Sequence, residues 1–206
     1  MGACVLTNPF LITGLPRSRT AWLSIAASMM GNAICLHEPV RDCATWQESL
    51  GTWRRSGYAY SGISDHAMGF HLPHILCEYK PNTLVIHRRQ TDVYSSLRGI
   101  GVDAPGYLEV LSARIGRCLR HPLVMQVDYD ELRDPHTLMD CLEWLMPGSR
   151  PDIRKAEMMV RMNVQADIGM LHEDVARIGH TPESVLGSDV VAELAEFRLR
   201  HCPEKC

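Results

Sequence analysis

The segment Phe10-Leu-Ile-Thr-Gly-Leu-Pro-Arg-Ser-Arg-Thr-Ala-Trp-Leu-Ser24 runs from a short β-rich apolar stretch, through a polar turn, into an apolar helical pattern. A short strand without polar alternation reads as buried, and a turn that opens a helix leaves backbone N–H groups free where the helix dipole adds positive potential. Arg17, Ser18, Arg19 and Thr20 place two cations and two hydroxyls at that spot, a set suited to several phosphate or sulfate oxygens at once. The segment therefore predicts an anion cradle and a nucleotide as its ligand. A Walker A loop, G-x-x-x-x-G-K-[ST], is disfavoured, because from Gly14 the chain reads G-L-P-R-S-R-T-A and has no Lys-Ser/Thr pair.

A second segment repeats the logic. Thr83-Leu-Val-Ile-His87 is a β-rich apolar run, and the following Arg88-Arg-Gln-Thr-Asp-Val-Tyr-Ser-Ser-Leu-Arg98 reads as a helix that Thr91 or Asp92 would cap. Again a strand delivers cations to a helix start.

These residues carry a resemblance. Pro16-Arg17-Ser18-Arg19-Thr20-Ala21-Trp22 resembles the 5′-phosphosulfate loop of sulfotransferases, P-[KR]-S-G-T-T-W, which holds 3′-phosphoadenosine 5′-phosphosulfate (PAPS). It departs at Arg19, usually Gly, and at Ala21, usually Thr. Arg88 and Ser96, with Asp92 and Val93 between them, match the family's 3′-phosphate pattern R-x-x-x-D-V-x-x-S. Leu123-Val-Met-Gln-Val-Asp-Tyr-Asp-Glu-Leu132 is similar to the family's strand ending in Y-E-D-L, which would put Tyr129 near the nucleotide.

The resemblance implies a P-loop-type α/β fold, a central parallel sheet flanked by helices on both faces. It implies PAPS as sulfuryl donor, its desulfated form PAP as product, and no required metal. Arg17 would stabilise the 5′-phosphate and the moving sulfuryl group, with Ser18, Thr20 and nearby amides on the 5′-phosphate and Arg88 and Ser96 on the 3′-phosphate. Arg19 would join either cluster, and Trp22 would stack on adenine or fill the first turn of a core helix. Many members also carry a late R-K-G-x-x-G-x-x-K segment that this chain lacks, for which Arg150, Arg154 or Lys155 are the candidate substitutes.

The acceptor hydroxyl needs a general base. Glu38, just after the second predicted strand in Leu36-His-Glu-Pro39, is the first candidate. His66 is its rival, with Asp65 placed to orient it, and His37 is the neighbouring substitute. The series His66, His71, His74 and Cys77 also has zinc-ligand residue types, against which Pro73 and the lack of a known ligand frame weigh.

The remaining sequence bounds the answer. With 206 residues, one domain with a sizeable core is expected over 1–206, its last third from about 135 mainly helical. Strands are predicted at Phe10 to Thr13, Ala33 to Leu36, Thr83 to His87 and Leu123 to Asp128. Helices are predicted at Thr20 to Met30, Trp46 to Arg54, Asp92 to Gly99, Tyr107 to Arg120, Pro135 to Leu145, Arg150 to Met162 and Ser188 to Arg200. Ser56 to Asp65 and Gly99 to Tyr107 read as mobile loops able to cover a substrate.

A net charge of −3 argues against a general nucleic-acid binder, and no apolar run of membrane-spanning length is present. Without a basic stretch before its first apolar residues the chain is expected in the cytoplasm, acting on a small-molecule acceptor. Eight cysteines form no C-x-x-C pair and read as reduced, mostly buried thiols. Two alternatives stay open: a small-molecule or nucleoside kinase with an atypical phosphate loop, using Asp128 or Asp130 for Mg²⁺, and a non-catalytic nucleotide-binding protein.

Overall fold

The computed structural model describes residues 8–162 apart from 31, 44, 55–57, 100 and 103–104. Five strands form one sheet: β1 (Asn8–Gly14), β2 (Ala33–His37), β3 (Tyr60–Ser64), β4 (Asn82–His87) and β5 (Val124–Asp128). Every neighbouring pair is parallel, in the order β2-β3-β1-β4-β5. Helices α1 (Thr20–Ser28), α2 (Trp46–Ser49), α3 (Leu72–Glu78), α4 (Gln90–Arg98), α5 (Pro105–Gly116), α6 (Pro135–Leu145) and α7 (Ile153–Arg161) complete the described chain with short 3-10 turns.

Two apolar layers lie on the two sides of the sheet. Phe10 and Ile12 of β1, Leu84 and Ile86 of β4 pack with α1, α6 and α7, whereas Leu11 and Val85, pointing the other way, pack with α3, α4 and α5. Strands covered on both faces read as continuous apolar runs, which is why β1 and β4 are legible in the sequence. α1 is buried over nearly its whole length, Ala21 alone being half-buried, and so shows almost no polar face. α6 begins under a cap in which Asp134 accepts from the backbone N–H groups of His136 and Thr137.

The expected fold class is therefore the observed one, with local corrections. Ser56 to Asp65 is not a mobile loop over its second half: Tyr60–Ser64 is an interior strand. Its small residues are required by packing, since a Cβ on Gly62 would sit 2.0 Å from Cε2 of Phe10. Polar side chains there are satisfied internally, as where Ser64 Oγ donates to the Thr20 carbonyl at 2.7 Å. The helix expected from Trp46 to Arg54 ends at Ser49 and continues as a 3-10 turn. Helix α3 was not expected, and α4 starts before its expected caps: Arg89 is the N-cap, Thr91 and Asp92 lie in the first turn, and Asp92 pairs with Arg89 at 3.1 Å. The stretch from Gly99 to Tyr107 already contains the start of α5. Ser188 to Arg200 lies outside the described residues. Among the described residues no helix is long and apolar enough to cross a membrane. Cys35, Cys118 and Cys141 are buried free thiols, Cys43 is half-buried and Cys77 exposed.

Candidate functional site

Parallel strands bring all their carboxyl ends to one edge, and ligands of such sheets bind there. The backbone extends the ladder one step beyond the strands: Glu38 N–H donates to Ser64 O (3.0 Å), Asp65 N–H to Ile12 O (3.0 Å) and Tyr129 N–H to His87 O (2.7 Å). Glu38, Asp65, Arg88 and Tyr129 each follow the last residue of a strand and share this edge with the turn 15–19 after β1. At the base of that turn Gly14 is required, because a Cβ would lie 2.7 Å from the Ile86 carbonyl of β4.

The two segments that the sequence singles out meet. Arg88 Nη1 donates to the Arg17 carbonyl, and Arg17 Nε donates to Ser96 Oγ at 3.2 Å. The guanidiniums of Arg19 and Arg88 lie 4.6 and 4.4 Å from the centre of the Tyr129 ring. Among the described residues none of Arg17, Arg19 and Arg88 has a carboxylate as ion-pair partner, although Arg89 and Arg133 nearby do. Cation–π contacts contribute only about 0.5–1 kcal/mol at such sites, so three cations remain largely uncompensated.

They surround further unused donors. α1 starts at Arg19 with no side-chain cap, leaving its first amides free, and Ser18 Oγ is fully buried with no hydrogen-bond partner. Arg17 and Arg19 have φ of 63° and 62°. Left-handed backbone at non-glycine residues costs about 1–2 kcal/mol each, and such strain collects at functional sites. Position 19, a glycine in the resembling loop, thus keeps a glycine-like backbone while carrying an arginine.

The other expected binding residues sit as follows. Thr20 is buried in the first turn of α1, and Ala21 offers its carbonyl to Ser24 Oγ at 2.6 Å. Trp22 is a core residue: it is 5% exposed and its indole N–H donates to Met159 O of α7 at 2.9 Å, so its ring is fixed against α7 rather than open to a base. Lys155 is at the wrong end of α1, donating to Met29 O at 2.8 Å beyond the helix C-terminus, where the dipole favours a cation. Arg150 and Arg154 are exposed. Asp128 and Asp130 are exposed too, with Asp130 held by Arg133 at 3.3 Å.

Across the turn lies a second cluster. His66 Nδ1 donates to Glu38 Oε1 at 3.1 Å, and Asp65 Oδ1 is farther from it at 4.0 Å. Glu38 and His66 are thus partners, and the orienting carboxylate is Glu38 rather than Asp65. Glu38 itself has φ 46°, a left-handed backbone of the kind that collects at functional sites. His37 is buried, its Nδ1 donating to Ser64 O at 3.1 Å and its Nε2 lying 3.6 Å from Glu38. Asp65 accepts from the N–H groups of Ala67 (2.8 Å) and Val40 (3.4 Å).

Electrostatics follow from this packing. Burial works against the His66 imidazolium, but the hydrogen bond and charge of Glu38, with the charge of Asp65, outweigh it and raise the pKa. Burial pushes the Asp65 carboxyl up to about 6, against the lowering effect of His66. Tyr107, at the expected junction of a loop and a helix, packs edge-on to His66 (6.1 Å between ring centres) and to Phe70 (5.0 Å). Burial, then Asp65 and Glu38, push its phenol up to about 12.

The zinc-like series is not brought together. His66 is bound to Glu38, His71 stacks on Trp46 at 4.6 Å and His74 pairs with Glu78 at 3.0 Å. No group of three or more ligand-type residues suited to a metal occurs among the described residues.

No protein-family model matches this sequence, and no curated protein matches it either.

Proposed function

We propose that this chain is a PAPS-dependent sulfotransferase acting on a hydroxyl or amine of a small-molecule acceptor. The observation that carries the reading is the convergence of Arg17, Arg19 and Arg88, without carboxylate partners, on the uncapped start of α1 and the unpartnered hydroxyl of Ser18. A buried hydroxyl without a partner, free helix-start amides and cations without a carboxylate fit a ligand that carries several anionic oxygens. PAPS has such oxygens at both ends of its nucleoside.

In this mechanism the amides of α1, Ser18 and Arg17 hold the 5′-phosphate and neutralise charge on the sulfuryl oxygens. Arg88 and Ser96 hold the 3′-phosphate. With Nδ1–H committed to Glu38, neutral His66 presents Nε2 as the proton acceptor. The acceptor oxygen forms a bond to sulfur as the bond from sulfur to the 5′-phosphate oxygen breaks, that oxygen keeping the electron pair and His66 taking the acceptor's proton. Strand spacing of about 4.8 Å separates the ends of β3 and β4 by about 10 Å, so base and phosphate sites flank the β1 turn from opposite sides.

Calorimetry against PAP, AMP and Mg·ATP, followed by an assay of PAP release from PAPS with a panel of phenols, alcohols and amines, tests the reading. A preference for PAP over AMP is expected. Preference for Mg·ATP would favour the kinase alternative, and tight PAP binding without any turnover would leave a nucleotide-binding protein.

A further inference from the structure

We infer that Arg19 is a specificity-determining residue for the donor's second phosphate, acting with Arg88 while Tyr129 holds the two guanidiniums together; the inference rests on the donor reading above. Arg19 is the N-cap of α1, and its guanidinium lies 4.6 Å from the centre of the Tyr129 ring, at the end of β5, and 5.4 Å from that of Trp22 in the first turn of α1. Arg88 reaches the same Tyr129 ring from the end of β4 at 4.4 Å. Two like charges thus share one ring with no carboxylate ion-paired to either among the described residues, and a ring quadrupole attracts each cation without cancelling their repulsion. A phosphate carrying more than one negative charge is the partner this pair fits.

The backbone argues the same way. At φ 62° a glycine would relax the turn, and retaining an arginine there forgoes that relief for the sake of a side chain. Arg17, by contrast, is engaged with Ser96 and lends its carbonyl to Arg88, so the work of the two turn arginines is divided. Arg19 also supplies a cation that Lys155, fixed at the far end of α1, does not.

The test is titration calorimetry of wild type, Arg19→Gly, Arg19→Lys and Tyr129→Leu with PAP and with AMP, which lacks the second phosphate. Arg19→Gly suits the left-handed backbone, so thermal unfolding is expected at or above the wild-type temperature and folding does not confound the result. Its PAP affinity is expected to fall about 10-fold or more, with AMP affinity changed less than about 2-fold. Arg19→Lys, keeping the charge but not the planar stack, falls between, and Tyr129→Leu gives the same split between PAP and AMP as Arg19→Gly. Equal losses for PAP and AMP in Arg19→Gly would assign Arg19 to the 5′-phosphate and overturn the inference, as would no loss for either. Failure of wild type to prefer PAP over AMP is a separate outcome, seen before any variant is made, and it overturns the donor reading and the inference with it.

Discussion

Replacing Glu38 by Gln separates a base from the group that orients it. His66 Nδ1 and Glu38 Oε1 are 3.1 Å apart, with the two side chains 23% and 20% exposed, so water screens the pair only in part. A hydrogen bond to a charged partner contributes about 1.5–3 kcal/mol, and the hydrogen bond and charge of Glu38 are what hold the His66 pKa up against burial, so loss of the carboxylate should lower it. In the proposed mechanism neutral His66 is the active form, so the rate rises with pH through its pKa. In Glu38→Gln that rising limb of kcat/KM moves to lower pH. The plateau falls as well, because Gln can donate to Nδ1 and leave the proton on Nε2, whereas His66→Ala removes the base and loses about 10²–10⁴-fold. NMR titration of the His66 ring reads the shift directly, without substrate. An unmoved His66 midpoint in Glu38→Gln would refute the coupling. Abolished turnover in Glu38→Gln beside near-normal turnover in His66→Gln would make Glu38 itself the base.

Other perturbations test separate parts of the structure. Arg88→Ala should weaken PAP by about 10- to 150-fold in calorimetry while leaving AMP nearly unchanged, since a charge-assisted contact contributes about 1.5–3 kcal/mol; equal losses would remove its assigned role. Asp65, with a folded pKa raised from 3.8 to about 6, gives the folded state the greater proton affinity, so its ionisation costs on the order of 2–3 kcal/mol, fully expressed above pH 6 and relieved as pH falls toward 4. His66 adds in the same sense, because a raised imidazole pKa contributes stability below the unfolded value that is lost as pH rises through the folded one. Denaturant unfolding of Asp65→Asn should accordingly show a flatter pH dependence between pH 4 and 7 than wild type. Gly62→Ala should destabilise by about 1–3 kcal/mol or more through the clash with Phe10, and Phe10→Leu should restore part of that loss in the double variant.

What was legible in the sequence follows from what each element touches. β1, β2, β4 and β5 were placed within two residues at either end: burial makes β1, β2 and β4 largely apolar runs, as in Thr83 to Ile86, whereas β5 is a half-exposed edge strand marked by its β-branched valines. The approach of Arg17 to Arg88 was legible because parallel strands deliver their carboxyl ends to one edge whatever their separation in the chain. The fixed indole of Trp22 was not, since its acceptor is a backbone carbonyl 137 residues away. The contact of Lys155, one of three candidate substitutes with Arg150 and Arg154, was hidden for the same reason, its acceptor Met29 O lying 126 residues away.

The strand that was missed explains a contact in the site that the sequence did not show, the hydrogen bond between Glu38 and His66. Tyr60-Ser-Gly-Ile-Ser64 carries a glycine and two serines where a buried strand would normally carry branched apolar residues, because Phe10 fills the space over Gly62 and Ser64 must bond the Thr20 carbonyl. Read as a loop, it left Asp65 and His66 without a fixed position, and Glu38 and His66 could then only compete for one role. As an interior strand paired with β2, with His37 opposite Ser64, it sets the residues after both strands side by side. The same pairing turns two candidate bases into one donor and one acceptor of a single hydrogen bond. Polarity in a strand is therefore informative when small side chains make it: it marks where other elements approach closely, here Phe10 of β1 over Gly62 and the first turn of α1 against Ser64.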